Sequence, residues 1–254
     1  MPKTRPVLGA FDRGQLPTIA CFNRASVPLG LDLDALLEAL QRFVDECVAP
    51  VWGTPARLVK SSGFVRRAWA LVFLDDADAP GALAYHELTP DGFPVSKVFV
   101  KTILGARDSL SVSTSHELVE MLVDPAINLY STGPDARALY AYESADPVEE
   151  TWFPLGGFDM TNFVFPSYFE VFRKRGSTQF DYMKKVKKPF ELLRGGYQII
   201  FKNGRSSEIF GSPAKKARFA KEDRRYHRSA YRRPRKPRRI TKADYGRVEE
   251  SFGR

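Results

Sequence analysis

Three residues in one short segment have the types and the spacing to bind and use a metal ion. Residues 114–120 read Thr-Ser-His-Glu-Leu-Val-Glu, so His116, Glu117 and Glu120 form a His-Glu-x-x-Glu pattern. This pattern is a variant of the His-Glu-x-x-His motif, in which both histidines bind zinc and the glutamate is a general base. On a helix, positions i and i+4 share one face. We therefore expect His116 and Glu120 to bind one ion from the same side, with Glu117 beside them as the base.

A metal ion held by His116 and Glu120 needs at least a third protein ligand. The sequence offers Glu143 first and Asp146 second, both in the later segment Tyr-Glu-Ser-Ala-Asp-Pro. Asp124 is a further candidate, because it continues the same helix face one turn beyond Glu120. Carboxylates that lie close together repel one another unless a cation or protons neutralise them, which favours a cation here.

The same acids have two simpler interpretations. A five-residue match can arise by chance on a surface helix, and Glu117, Glu120 and Asp124 could form a solvated helix face. The sequence around them is apolar: Leu118, Val119, Met121, Leu122 and Val123. Because little of this helix is free to face water, we expect some of its acids to point into a cleft.

Two further histidines and one tyrosine are weaker candidates. His86 lies in a predicted strand, which favours a hydrogen-bonded sheet residue that could line the cleft. His227 lies in a basic segment, where a solvated or nucleic-acid-facing residue is the simpler interpretation. Tyr142 or His86 could also stabilise negative charge on a substrate oxygen.

Hydrophobic patterning predicts an α+β domain. The first helix should run over residues 33–48, capped by Asp32 and ended by Pro50. A second helix should begin after Ser113, carry the motif and stop at Pro125. An aromatic stretch at residues 152–172, rich in proline and glycine, is predicted to be packed but irregular. Strands are predicted at residues 17–23, 57–60, 69–74, 83–87, 95–103, 139–143 and 197–201.

Composition indicates a folded protein without a membrane span. The chain has 254 residues, of which 43% are hydrophobic, enough for a large core. No apolar run could span a bilayer, and no apolar signal core follows the charged start, so we expect folding without secretion. Cys21 and Cys47 form no Cys-x-x-Cys motif and are expected to be buried thiols in a reducing compartment.

Positive charge is concentrated near the end of the chain. Residues 212–239 contain thirteen Lys or Arg residues and two acids, which gives this segment a net charge of +11. The net charge of the whole chain is +9. We therefore interpret residues 212–254 as an extended basic arm and residues 1–211 as the folded domain. The arm would contact nucleic acid or a neighbouring subunit, or serve only as solubilising charge. Its candidate contact residues are Arg224, Arg225, Arg228, Arg232, Arg233, Arg235, Lys236, Arg238 and Arg239.

Four sequence blocks come in an order that resembles one protein family. They are Ser-His-Glu-Leu-Val-Glu-Met-Leu-Val-Asp-Pro at residues 115–125, Tyr-Glu-Ser-Ala-Asp-Pro at 142–147, Asn-Phe-Val-Phe-Pro-Ser-Tyr-Phe at 162–169 and Gly-Gly-Tyr-Gln at 195–198. Together they look like an uncharacterised zincin-like family of bacteriophages and prophages, with a fainter similarity to exordium-like proteins. The resemblance covers residues 82–198 and not the basic arm.

The resemblance implies a zincin-like domain with a mixed sheet, one long early helix and a short metal-motif helix. It implies His116, Glu120 and Glu143 as metal ligands, Glu117 as the base, and Asp146 as a ligand or a partner of the ligands. Zinc is the expected ion, although one histidine with several carboxylates also suits calcium, manganese or magnesium.

These features lead to one predicted function and two alternatives. The leading prediction is a metallopeptidase of phage origin, in which Glu117 takes a proton from the water that attacks a peptide carbonyl. The alternative is a non-catalytic virion structural protein of the head, neck or tail, tied by its arm to neighbouring subunits or DNA. A nucleic-acid-binding module is a third class that depends on the arm alone. The expected location is the virion or the host cytoplasm, and by analogy residues 95–103 would form the rim of the cleft.

Overall fold

A five-stranded mixed sheet forms the centre of the fold. The computed structural model describes residues 16–78 and 82–222. The strands are β1 (Thr18–Asn23), β2 (Arg57–Lys60), β3 (Trp69–Leu74), β4 (Ala84–Leu88) and β5 (Pro94–Phe99), in the order β2-β1-β3-β5-β4. β2, β1, β3 and β5 are parallel, and β4 runs antiparallel to β5 at one edge. The predicted α+β class and mixed sheet are confirmed.

The central strands are buried along their whole length, as expected for a sheet that is covered on both faces. Leu71 and Phe73 of β3 join the large core that also contains the helices. Ala70 and Val72 point the other way and join a smaller apolar cluster. This alternation is the two-residue period of a strand.

The long early helix is confirmed but extends past its predicted end. It comprises α1 (Leu33–Arg42), a π-helical segment (Phe43–Val48) and α2 (Ala49–Trp52). Asp32 caps it as predicted, and its carboxylate accepts the N–H groups of Asp34 and Ala35 at 2.8 and 3.1 Å. Pro50 does not end the helix; it lies at the start of α2, directly after the π-helical segment. The helix ends instead at Gly53, whose φ of 69° is left-handed.

The predicted strand at residues 95–103 divides into two elements. β5 ends at Phe99, and the chain turns directly into α3 (Val100–Ala106). Val100 and Ile103 are fully buried three positions apart. Burial of this helix face overrides the strand preference of β-branched residues. β5 is an inner strand, and β4 lies outside it at this edge of the sheet. The assignment of residues 95–103 to the rim of the cleft is wrong, because Leu83 and Ala84 line the cleft instead.

The helix that carries the motif is longer than predicted. It is α4 (Leu110–Val123), and it stops just before Pro125 as expected. Its N-cap is Ser109, whose hydroxyl accepts a first-turn N–H at 3.4 Å. The predicted cap, Ser113, lies inside the helix. The additional turn buries Leu110.

The second half of the chain is more regular than predicted. Its strands are β6 (Tyr130–Thr132), β7 (Ala138–Ala141), β8 (Trp152–Leu155), β9 (Phe158–Thr161), β10 (Tyr197–Lys202) and β11 (Arg205–Phe210). Four of them form an antiparallel sheet in the order β11-β10-β7-β6, and β8 and β9 form a hairpin inside the stretch predicted to be irregular. The turn of the hairpin uses Gly156 and Gly157, both with positive φ.

A final helix replaces the first part of the predicted arm. Residues Pro213–Glu222 form α5, so the prediction of an extended chain beyond residue 211 is wrong for this part. Lys215 of α5 is buried, and its Nζ atom lies 2.8 Å from Oε2 of Glu149. The ion pair between Lys215 and Glu149 holds α5 against the segment that follows the 3-10 helix at residues 146–148. Within residues 16–78 and 82–222, no helix has the length and apolarity that a membrane crossing requires.

Candidate metal centre

The acids of α4 are buried rather than solvated. Glu117 and Glu120 are 7% and 4% exposed, and the neighbouring Leu118 and Val119 are fully buried. α4 packs against β4, β5 and β9, so most of its circumference is covered. The interpretation of these acids as a solvated helix face is therefore excluded for Glu117 and Glu120.

His116 faces one carboxylate from its own helix and one from a later loop. Its Nε2 atom lies 3.4 Å from Oε2 of Glu120 and 3.2 Å from Oδ1 of Asp146. Asp146 begins a short 3-10 helix (Asp146–Val148) that follows β7. One ligand atom from each of the three side chains lies within 4.8 Å of the others. The three residues are thus positioned to hold one metal ion.

Glu120 also fixes the loop that carries Asp146. Its Oε1 atom accepts the backbone N–H groups of Ala145 and Asp146 at 3.1 and 3.3 Å. Gly196 packs on the same loop so closely that a Cβ atom would lie 2.1 Å from the carbonyl oxygen of Pro147. The helix and the strand that follows Gly196 therefore hold the loop from two sides.

The two distances at His116 suit ligands of a shared ion better than direct hydrogen bonds. Charge-assisted N–H···O bonds are usually about 2.7–2.9 Å long, whereas the contacts to Glu120 and Asp146 are 3.4 and 3.2 Å. Ligands about 2.1 Å from a tetrahedral ion lie about 3.4 Å from one another. One Nε2–H group also cannot point at both carboxylates at once.

Glu143 lies in a second group, with His86. One ligand atom each from His86, Glu120 and Glu143 lies within 4.8 Å of the others. Glu120 belongs to both groups. Of the two candidate acids in residues 142–147, the structure brings Asp146 to His116 and Glu143 to His86.

Burial makes the carboxylates of Glu120 and Glu143 unfavourable as free anions. Burial raises the pKa of Glu120, and the charge of Asp146 adds to the shift although His116 opposes it. Burial and the charge of Glu120 raise the pKa of Glu143 well above its usual range. Burial alone would lower the pKa of His116, but Glu120 and Asp146 outweigh it and raise the pKa well above its usual value. A bound cation would relieve this repulsion, so the donor set fits a metal ion.

Glu117 contacts His86 on the edge strand β4. The Nδ1 atom of His86 lies 3.4 Å from Oε2 of Glu117, and the His86 side chain is 5% exposed. Burial lowers the pKa of His86, but the hydrogen bond to Glu117 and the nearby carboxylates outweigh it and raise the pKa to about 9. This contact orients the Glu117 carboxylate beside His86. The sequence did not suggest this pairing, although the alternation of β4 places Ala84 and His86 on one buried face.

Two other candidates have structural contacts of their own. The carboxylate oxygens of Asp124 accept the backbone N–H groups of Asn128 at 3.1 Å and Leu129 at 2.8 Å. Asp124 therefore closes the turn after α4 and is not in either ligand group. The ring of Tyr142 stacks on Phe169 with 4.1 Å between centroids, as part of an aromatic cluster.

An open cleft of about 240 Å³ gives access to the site. His116 and Glu117 line it together with Leu83 and Ala84, at the start of the edge strand. Trp152, which is half exposed, also lines the cleft. Glu117 thus contacts His86 and also lines the cleft.

The basic residues predicted to contact nucleic acid or a partner lie outside the described residues. This holds for every candidate from Arg224 to Arg239 and for His227. Their assignment stays a prediction.

No family model, curated protein or solved structure matches the chain. The zincin-like resemblance and the phage origin therefore stay predictions.

Proposed function

We propose that the protein is a metal-dependent peptide hydrolase in which His116, Glu120 and Asp146 hold a divalent ion. One observation carries the proposal: Nε2 of His116 lies 3.4 and 3.2 Å from two carboxylates, which is the separation of ligands around one ion. Three protein ligands are also the number typical of catalytic zinc sites. The bound ion would supply positive charge that polarises a substrate carbonyl.

The ligand set favours zinc but also accepts harder ions. His116 supplies one imidazole nitrogen, which suits zinc, and Glu120 and Asp146 supply carboxylate oxygens, which also suit manganese and magnesium. Two carboxylates balance the charge of a divalent ion and make it a weaker Lewis acid than a site with more neutral ligands.

Glu117 is the proposed general base. It follows His116 directly on α4, lines the cleft and is 7% exposed. It would take a proton from the attacking water and deliver it to the leaving amine. His86, 3.4 Å away, holds the carboxylate in place.

The edge strand beside the site supports an extended peptide as the substrate. Among the described strands, β4 pairs only with β5 and forms one edge of the sheet. Leu83 and Ala84, at the start of this strand, line the cleft with His116. A peptide can add to such an edge through main-chain hydrogen bonds, with a carbonyl group near the site.

The test compares metal content and hydrolysis in four proteins: the wild type, Glu117→Gln, Glu120→Gln and Glu38→Gln. Glu38 is an exposed acid of α1 and serves as the matched control. Each purified protein is dialysed against zinc or manganese, its metal is measured by mass spectrometry, and its cleavage of a broad peptide library is followed.

We expect Glu117→Gln to keep its metal and to lose activity by about 100-fold or more, because a general base is removed. Glu120→Gln should lose both metal and activity, and Glu38→Gln should match the wild type. Full metal binding in Glu120→Gln would contradict the ligand set. Full metal content in the wild type without cleavage of any peptide would contradict the hydrolase and favour a metal-stabilised structural protein.

A further inference from the structure

Two buried polar atoms beside the proposed metal site have no partner among the described residues. They are Nε2 of His86 and Oε2 of Glu143. The His86 side chain is only 5% exposed, so bulk solvent does not supply the missing hydrogen-bond partner. Because an unsatisfied buried polar group costs about 1–3 kcal/mol, two such atoms close together call for a shared ligand.

These two side chains converge on Glu120 from separate elements. His86 lies on the edge strand β4, Glu143 lies two residues beyond β7, and Glu120 lies on α4. One ligand atom from each lies within 4.8 Å of the others. The three side chains come from separate parts of the chain, as the ligands of a metal site commonly do. They do not belong to one run of consecutive acidic residues.

The orientation of His86 is that of a metal-binding histidine. Its Nδ1 atom faces Oε2 of Glu117 at 3.4 Å. Histidine ligands commonly donate one ring N–H to a carboxylate, which leaves the other nitrogen for the metal. Here the other nitrogen is Nε2, the atom without a partner.

We propose that His86, Glu120 and Glu143 form a second divalent-cation site, so that Glu120 bridges two ions in a dinuclear centre. This inference rests on the proposed function for the first ion, held by His116, Glu120 and Asp146. Oε1 of Glu120 already accepts two backbone N–H groups, which leaves Oε2 as the bridging atom. Ions in two-metal hydrolytic sites lie about 3.5–4 Å apart, a spacing that a single carboxylate can bridge.

The number of donors in the region fits two ions better than one. Four carboxylates surround the two histidines: Glu117, Glu120, Glu143 and Asp146. Catalytic zinc sites typically use three protein ligands. With Glu120 shared, five side chains supply three donors to each of two ions.

The test measures how many ions each variant binds, with manganese(II) as the probe. The full chain is titrated with manganese, and the bound metal is counted by mass spectrometry after removal of free ion. Paramagnetic resonance of the loaded protein reports whether two ions are close enough to couple. The variants are His86→Ala and Glu143→Gln for the second site, His116→Ala for the first, and Glu38→Gln as the control. Glu143→Gln keeps the shape of the side chain, and so remains informative if His86→Ala fails to fold.

We expect two ions and a coupled spectrum in the wild type and in Glu38→Gln. His86→Ala and Glu143→Gln should bind one ion and give an uncoupled spectrum, and His116→Ala should also bind one. One ion in the wild type, unchanged by Glu143→Gln, would overturn the second site and leave the proposed function standing. No bound ion in the wild type would instead overturn the proposed function itself.

Discussion

Oε1 of Glu120 accepts the backbone N–H of Asp146, 26 residues further along the chain, at 3.3 Å. The same glutamate faces His116 through Oε2 at 3.4 Å. One side chain therefore fixes the loop that carries Asp146 and also faces His116 as a proposed metal ligand. The position of Asp146 depends on α4 itself, and any change that moves this loop should alter metal binding.

Replacement of Gly196 by alanine should weaken metal binding without touching a ligand. A Cβ atom there would lie 2.1 Å from the carbonyl oxygen of Pro147 and 3.0 Å from that of Asp146, so the loop must shift. We expect a loss of about 1–3 kcal/mol in unfolding free energy, as for other overpacked sites, together with a higher Kd for zinc. Chemical denaturation and calorimetric titration measure the two effects.

The control for this change is Gly105→Ala. Gly105 lies in α3, and an added Cβ atom would have no neighbour within 4 Å. Alanine favours a helix over glycine by up to about 1 kcal/mol, so this variant should be slightly more stable and bind zinc normally. Equal zinc affinity in both variants would contradict the link between Gly196 and the metal loop.

Replacement of Asp124 by alanine should lower stability and leave metal binding intact. Its carboxylate accepts the N–H groups of Asn128 and Leu129, which are the contacts of a turn and not of a ligand. Loss of these acceptors should lower the unfolding free energy by about 1–3 kcal/mol. Thermal denaturation and metal analysis test the two parts, and loss of the metal from a folded Asp124→Ala variant would return this acid to the ligand set.

Metal affinity should rise with pH through the neutral range. The carboxylates of Glu120 and Asp146 outweigh burial and raise the pKa of His116 well above its usual value, so the metal-free imidazole carries a proton at neutral pH. A metal ion must displace this proton, and each displaced proton changes the affinity by about tenfold per pH unit below the pKa.

Calorimetric titrations in buffers with different ionisation enthalpies measure the number of protons released. The sign follows from competition: low pH favours the proton and high pH favours the metal. A Kd that stays constant between about pH 6 and pH 8 would mean that the ion does not bind at His116.

Cys21 should resist alkylation in the native protein. Its side chain is fully buried in β1, and burial raises the pKa of its thiol to about 12, although a backbone hydrogen bond opposes the shift. The thiolate is the reactive form, so iodoacetamide should modify Cys21 only after unfolding. Mass spectrometry with and without denaturant measures this, and fast native labelling would show that the central sheet opens.

Local sequence patterns predicted the elements that carry the site better than the way these elements meet. The i, i+4 spacing of His116 and Glu120 is a property of one helix, so α4 brings the two side chains together as expected. The continuous apolar run at residues 69–74 likewise predicted the strand β3. Residues 95–103 were misassigned because β-branched residues favour strands locally, whereas the packing of Val100 and Ile103 bends the chain into α3.

The sequence by itself determined the motif helix, the long helix capped by Asp32 and the separate strands β1, β2 and β3, because each follows from a pattern within one segment. Only the tertiary structure decided that Asp146 faces His116 while Glu143 faces His86. These two acids are three residues apart in one loop, and no local rule fixes which of them reaches a given ring. Their positions depend on how β7, the following 3-10 turn and Gly196 pack against α4, and that packing joins residues far apart in the chain.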